Sequence, residues 1–305
     1  HPLIDAIAPV TFVGLLAKSI APKHQQKLLA NIRQFVSPPV NTQLMFTSTD
    51  NITVATPTQP KLGFTDKEQA DRVAGFLRNS GLTYGFSQLV VLLGHGSIVQ
   101  TNPHLAAYDC GDCSGRHGGP NARVVAAMAN RPEIRKLVAE RGIDIPSDTW
   151  FIGAEHNTCN EEILWSDLDD VPAERQGALT KLLGELRHAR QMSAHERCRR
   201  LASAPRNPTP AEALKHIEER ATDFSQARPE LGHATNASAV VGLRSVTQGA
   251  FFDRRVFLLS YDPTPDPHGK VLEGILLAVG PSAPVLTLVF SFLPVHTVRF
   301  GFCTK

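Results

Sequence analysis

The sequence predicts an α/β fold, a sheet flanked by helices with a further helical insertion, and three observations carry that prediction. The stretch "GFTDKEQADRVAGFLRNSGL" has the spacing of an amphipathic helix. It leads directly into "FSQLVVLLG", an apolar run of strand length, and then into a loop dense in Gly, His, Cys and Asp. A second apolar run, "TWFIGAEHNT", follows the next helical stretch. Helix, strand and polar loop in alternation is the pattern of a sheet whose strand ends carry a ligand site.

Each element has a physical signature. Thr65 stands three residues before Glu68, the spacing of a capping box, and Val73, Phe76 and Leu77 follow on one face before Gly81 ends the helix. The β-branched and leucine-rich run up to Gly94 is expected to be buried on both faces. Pro120, at the start of "PNARVVAAMANRPEIRKLVAERG", suits the first turn of a helix. His156 and Asn157 fall at the carboxyl end of the second strand, so two strand ends present polar residues to one crevice. Residues 161–222 are charged and read as a helical insertion, with the charges on a solvated face. "AVVGLRSV" and "RRVFLLSYDP" read as further strands.

The organisation expected is therefore a segment 1–62 without a catalytic pattern, an α/β domain over 63–262, and an apolar, divergent segment over 263–305. Two stretches, "HPLIDAIAPVTFVGLLAKSIAP" and "ILLAVGPSAPVLTLVFSFLPV", approach membrane character but are broken by charge or proline. They read as buried elements, with a surface resting on a membrane protein or the bilayer as the alternative. The chain begins without methionine and ends on "FGFCTK", which reads as a piece of a longer protein. A formal charge of +2 argues against nucleic acid as a partner. Five cysteines, odd in number and irregular in spacing, fit a reducing compartment better than a disulfide framework.

The chemistry-bearing segment is "LLGHGSIVQTNPHLAAYDCGDCSGRHGGPNAR", Leu92 to Arg123. Zinc takes imidazole and thiolate donors, and a glycine-containing loop that folds back would bring His95 and Cys110 to one ion. Other readings stay open. Cys110 and Cys113 form a Cys-x-x-Cys, but four nearby residues, Ser114, Gly115, Gly118 and Gly119, delay the helix that a redox pair normally opens. Ser97 could be a nucleophile with His95 or His156 as base, although its setting is not that of a nucleophile elbow. His104 and His117 are loop histidines suited to hydrogen bonding around a site, and Asp109 could orient an arginine or a metal-bound water. Asn121 and Arg123 could bind an anion at a helix start or simply cap it. Cys159, Cys198 and Cys303 read as ordinary thiols.

The strings "GHGSIVQTNPHLAAYDCGDCSGRHGGPNAR", "IPSDTWFIGAEHNT", "RPELGHATNASAVVGLR" and "RRVFLLSYDP" together resemble the DabA family, most specifically from Gly63 to Tyr261. The resemblance implies the C-terminal portion of a zinc subunit of an energy-coupled inorganic-carbon pump, with a β-carbonic-anhydrase-like sheet. It implies Zn2+ bound by Cys, Asp, His and Cys, of which His95 and Cys110 match positions here. The other two belong to a Cys-x-Asp-x-Arg motif that this chain lacks; Cys110-Gly-Asp112 mimics its start, but Ser114 stands at the arginine position. Asp109, Arg123 and Asn157 become candidates for supporting contacts. The implied reaction is hydration of CO2 to bicarbonate, only in the complete complex with a DabB-like membrane subunit resembling the proton-translocating subunits of respiratory complex I. The implied location is peripheral, on the cytoplasmic face of the bacterial inner membrane. Asp112 departs from the family's small residue and adds negative charge beside a thiolate, which opposes ligation. The alternative of another class is a non-catalytic assembly module, with a structural zinc or none, that docks a membrane partner.

Overall fold

Residues 2–36, 42–48, 62–98, 116–223, 225–226, 229–230 and 236–280 are described by the structure, a computed structural model. Helices α1 (Pro2–Ile20), α2 (Pro22–Val36) and α3 (Asp66–Asn79) precede strand β1 (Leu89–Gly96). Then come α4 (Gly119–Asn130), α5 (Pro132–Ala139), β2 (Trp150–Asn157), β3 (Glu162–Trp165), α6 (Gln176–Cys198) and α7 (Pro210–Thr222). Strand β4 (Ser238–Gly242), the short α8 (Arg244–Thr247), β5 (Val256–Ser260) and α9 (270–280) complete the order. The result is a mixed α/β architecture with two small sheets among the described residues.

The described residues fall into two compact units, each discontinuous in sequence. One draws on 1–46, 91–124 and 152–230, the other on 47–90, 125–151 and 231–305.

The larger sheet has the order β1-β2-β3. Trp150 N donates to Gln88 O and Thr158 N to Gly96 O, at 2.9 Å each. The two bonds share one offset along the chain, so β1 and β2 run parallel. β2 pairs with β3 antiparallel, with His156 opposite Ile163. The central strand is the buried one: Phe151, Ile152 and Ala154 are at most 2% exposed. β1 departs from the expectation of burial on both faces: Leu92, on the face shared with Gly94 and Gly96, is 8% exposed, and Leu93, on the other face, is 48% exposed. β3 lies inside a stretch expected to be helical; four residues, "EILW" after a tight turn, are too few to give a period.

In the first unit, α6 and α7 pack through Ala194, Cys198, Ala213 and Ile217, all buried. α7 opens with Thr209 and Pro210 and has its own capping box with Glu212. α1 and α2 pack on each other, yet Val10, Phe12 and Phe35 remain 72%, 63% and 90% exposed. The apolar N-terminal stretch is thus a helix with an exposed apolar surface and not a buried element. No helix of the described residues is long and apolar enough to cross a membrane.

In the second unit, the capping box of α3 forms as the sequence requires: Glu68 N donates to Thr65 Oγ1 and Thr65 N to Glu68 Oε2. Gly81 then takes φ +75°, a conformation favouring glycine. α3 packs on α5 through Val73, Ala74, Leu77, Ile134 and Val138. Asn130 closes both backbone bonds of Phe151, donating to its carbonyl and accepting from its N–H. β4 and β5, both expected from sequence, form a parallel pair.

A buried ion pair organises the turn after β2. Arg197 is 1% exposed; it pairs with Glu161 and donates to the carbonyls of Thr158, Cys159 and Pro229. Glu161 holds φ +63°, unusual for a residue with a side chain, and also bonds His156 Nε2 at 2.7 Å and accepts from Ser193 Oγ. Burial pushes its carboxyl up, but the His156 and Ser193 hydrogen bonds and the Arg197 charge outweigh that and bring it down to about 2. A carboxyl lowered by folding contributes stability that is complete above its unfolded value and is lost as pH falls toward about 2. Arg197→Met, which leaves Glu161 buried without its guanidinium partner and three backbone carbonyls without their donor, should cost about 3–5 kcal/mol by urea denaturation at pH 7. The deficit should shrink as pH falls below 4; a pH-independent deficit would contradict this role.

Candidate functional site

The carboxyl ends of β1 and β2 meet in the first unit. Alternation along β2 sends Gly153, Glu155 and Asn157 to one face and His156 to the other. Gly153 lets α4 approach: a Cβ there would stand 2.5 Å from the Arg123 Cα. Asn157, 4% exposed, accepts from Ile98 N and Cys159 N through Oδ1, tying the end of β1 to the turn after β2.

His95 sits at the end of β1 with its side chain 38% exposed, open enough to meet a ligand. Its carbonyl accepts from Gly118 N at 2.8 Å. The two chain segments touch so closely that a Cβ on Gly94 would stand 2.2 Å from the Gly118 carbonyl carbon. The chain therefore leaves β1 after Gly96 and is pinned back to the strand, at His95, by Gly118. The segment between them carries Cys110.

Glu155 fills the space beside this junction. A Cβ on Gly96 would come within 2.5 Å of its Oε1, and one on Gly119 within 2.5 Å of its Oε2. Oε2 accepts from Gly119 N at 3.1 Å, in the first turn of α4, where backbone N–H groups favour a negative charge. Oε1 lies 2.8 Å from His117 Nδ1, and the two side chains are 10% and 29% exposed.

A second carboxylate, Glu230, faces His95: its Oε1 is 4.0 Å from His95 Nε2. It is held by Thr158 Oγ1 and by Ser97 Oγ, which donates to Oε2 at 2.6 Å. Ser97 is fully buried and lies 3.2 Å from Cys159 Sγ, while His156 is engaged by Glu161. Burial removes Ser97 from contact with an ester, so its hydroxyl serves the carboxylate, not nucleophilic attack. Cys159 and Cys198 are buried cysteines, as expected.

Of the residues expected to matter, His95, His117 and Asn157 lie in this cluster. Arg123 is on α4, clamped to both oxygens of Asp167 at 2.6 Å and to Thr42. Cys110, Asp109, Asp112, Cys113, His104 and Cys303 lie outside the described residues, as does 281–305. Sequence reasoning missed Glu155, Glu230, Glu161 and Arg197. Glu155 had a signal, a charge inside the apolar run "WFIGAEHN" on the same parity as Asn157.

The donor chemistry suits zinc in kind: an exposed imidazole with a carboxylate beside it. Among the described residues no group of three or more His, Cys, Asp or Glu could hold a metal ion, so a full shell needs donors from elsewhere.

The model of one protein family, "Probable inorganic carbon transporter subunit DabA", matches residues 1–305, further than the stretch from Gly63 to Tyr261. The Methylococcus capsulatus protein of that name is 56% identical over 305 residues, all of this chain and 28% of the relative. The Nitrosococcus oceani protein is 55% identical over 99% of this chain and 27% of its own length. The Dechloromonas aromatica protein is 52% identical over 100% and 30%. The chain thus spans less than a third of the length of the curated relatives it matches. No solved structure matches it.

The junction predicts a steric effect. Gly94→Ala drives a methyl into the backbone of Gly118 and should destabilise the protein by about 1–3 kcal/mol, measured as a lower denaturation midpoint. Gly177→Ala, at a position where a Cβ meets nothing within 4 Å, is the control and should show no such loss.

Proposed function

The chain belongs to the DabA family, and from that membership we propose that it is part of the zinc-binding subunit of an energy-coupled inorganic carbon pump. The complete subunit hydrates CO2 to bicarbonate vectorially, with a sheet of β-carbonic-anhydrase type around the metal. His95 and Cys110 are two of the zinc ligands, and the remaining two come from parts of the relatives' length that this chain does not cover.

The single observation that supports this reading is the junction at His95. Gly118 N on the His95 carbonyl, with Gly94 against Gly118, makes the segment bearing Cys110 a loop closed at the very residue that supplies the imidazole. Seven residues lie between Cys110 and Gly118, and a chain reaching up to about 3.5 Å per residue is long enough for the thiolate to meet His95. When bound, zinc would bring the ionisation of water toward about pH 7, the acidity that CO2 hydration requires.

The chain's own residues hold the surroundings. Asn157 fixes the end of β1 against the turn after β2. Ser97 and Thr158 keep Glu230 beside His95. The exposed apolar surface of α1 and α2 is of the kind that covers itself with another protein. It supports assembly with a DabB-like membrane subunit at the cytoplasmic face of the inner membrane.

Elemental analysis tests the assignment. The full-length protein should carry about one zinc per chain, and His95→Ala or Cys110→Ala should remove it while the protein still folds by circular dichroism. Stoichiometric zinc in either variant would overturn the ligand assignment. Firm zinc in residues 1–305 alone would favour a closed structural site.

A further inference from the structure

The end of α6 and the loop after it concentrate positive charge. His195, Arg197, Arg199, Arg200 and Arg206 fall in a stretch whose one acid is Glu196, in a chain of formal charge +2 overall. Arg197 turns inward to Glu161, whereas His195, Arg199 and Arg206 line a cavity of about 610 Å3 closed by the loop that leads to α7. We propose that this cavity binds a phosphate monoester, free in solution or as a lipid headgroup, through the guanidinium groups of Arg199 and Arg206 and the imidazole of His195. The inference rests on the charge and shape of the cavity and holds whether or not His95 binds zinc.

The cavity is preformed. Arg197 anchors the last turn of α6 through three carbonyls. The chain then stays tightly turned: Arg200 N donates to Arg197 O at 3.0 Å, Leu201 N to Cys198 O at 3.1 Å and Ala204 N to Leu201 O at 3.0 Å. Leu201 and Ala204 pack on the buried cluster of Ala194, Cys198, Ala213 and Ile217, which gives the cavity a fixed apolar floor. Pro205 and Pro208 stiffen its rim, because their rings lock φ. The volume lies in the range of small-molecule sites, about 300–1,000 Å3.

The charge selects the ligand. Among the described residues no carboxylate lines the cavity. Glu212, the first acid of α7, is consumed by the capping box, where its Oε2 accepts from Thr209 N at 2.8 Å and from Thr209 Oγ1 at 2.9 Å. The carbonyl end of a helix favours basic residues in its last turn, which accounts for His195, but Arg206 lies in the loop beyond. Two guanidinium groups match a phosphate monoester, which carries about −1.5 to −2 at pH 7 on three acceptor oxygens. A carboxylate or bicarbonate has one negative charge and leaves one guanidinium uncompensated. The planar fork of arginine suits paired oxygens of phosphate, and the His195 ring supplies a further N–H in any protonation state. Arg199 and Arg206 are exposed and His195 is half-buried, so a ligand can enter from solvent or from a membrane surface.

The test uses the full-length protein at constant ionic strength, with Arg199→Gln, Arg206→Gln and the double variant. Calorimetric titration with inorganic phosphate should show saturable binding that sodium chloride does not reproduce. Each single variant should weaken it about tenfold and the double variant about 100-fold. Circular dichroism should be unchanged, since both side chains are exposed. Should the double variant unfold, Arg206→Gln, in the loop, carries the test alone. Flotation with phosphatidylcholine vesicles, with and without phosphatidic acid, separates the two sources. Binding that needs phosphatidic acid and is lost in the arginine variants identifies a headgroup, and phosphate binding with no gain from phosphatidic acid identifies a soluble ligand. Binding of neither probe, an equal response to chloride, or affinities unchanged in the arginine variants would overturn the proposal.

Discussion

The site depends on a carboxylate that occupies the volume of two absent side chains. Glu155 reaches into the space beside Gly96 and Gly119, one residue at the end of β1 and the other at the start of α4. A buried carboxylate is costly unless it is hydrogen-bonded. The Gly119 N–H and the His117 ring satisfy it, and both come from the chain that has just returned from the loop. Strand end, helix start and loop return are therefore held by one side chain from the neighbouring strand. Replacing either glycine would force that carboxylate out of place, and the hydrogen bonds would go with it.

A second buried charge does the corresponding work on the other face of β2. Arg197, from the end of α6, gathers three carbonyls from two separate chain segments and pairs with Glu161 in the turn between β2 and β3. One of those carbonyls belongs to Pro229, the residue before Glu230, and another to Thr158, whose hydroxyl binds the Glu230 carboxylate. The helical stretch after β3 thus fixes the position of a carboxylate that faces His95. A planar guanidinium is suited to this, because its five N–H donors leave in fixed directions.

These relations explain what the sequence made legible and what it did not. The α3 helix was readable because its signals are local: Thr65 and Glu68 sit three apart and meet within one turn. The apolar runs of β1 and β2 were readable for the same reason, and so was the density of glycine in the loop. The purpose of those glycines was not readable. Gly94 is needed because of Gly118, twenty-four residues on, and Gly96 because of Glu155 on another strand. Contacts of that range leave no periodic trace. The exposure of Leu93 depends likewise on what packs against its face of β1 and not on composition. Arg197 was hidden among the charges of α6, where an amphipathic pattern makes every arginine read as solvated.

The exposed apolar hairpin of α1 and α2 belongs to the same argument. An isolated helix with apolar residues on all sides is normally buried, and α1 has that composition with Val10, Phe12, Val13 and Leu15 all more than 60% exposed. α2 adds Phe35 and Val36 to the same hairpin. Apolar surface of this extent is of the kind that other protein covers. The sequence made the apolar composition of this hairpin plain, whereas its exposure depends on what packs against it and leaves no local trace.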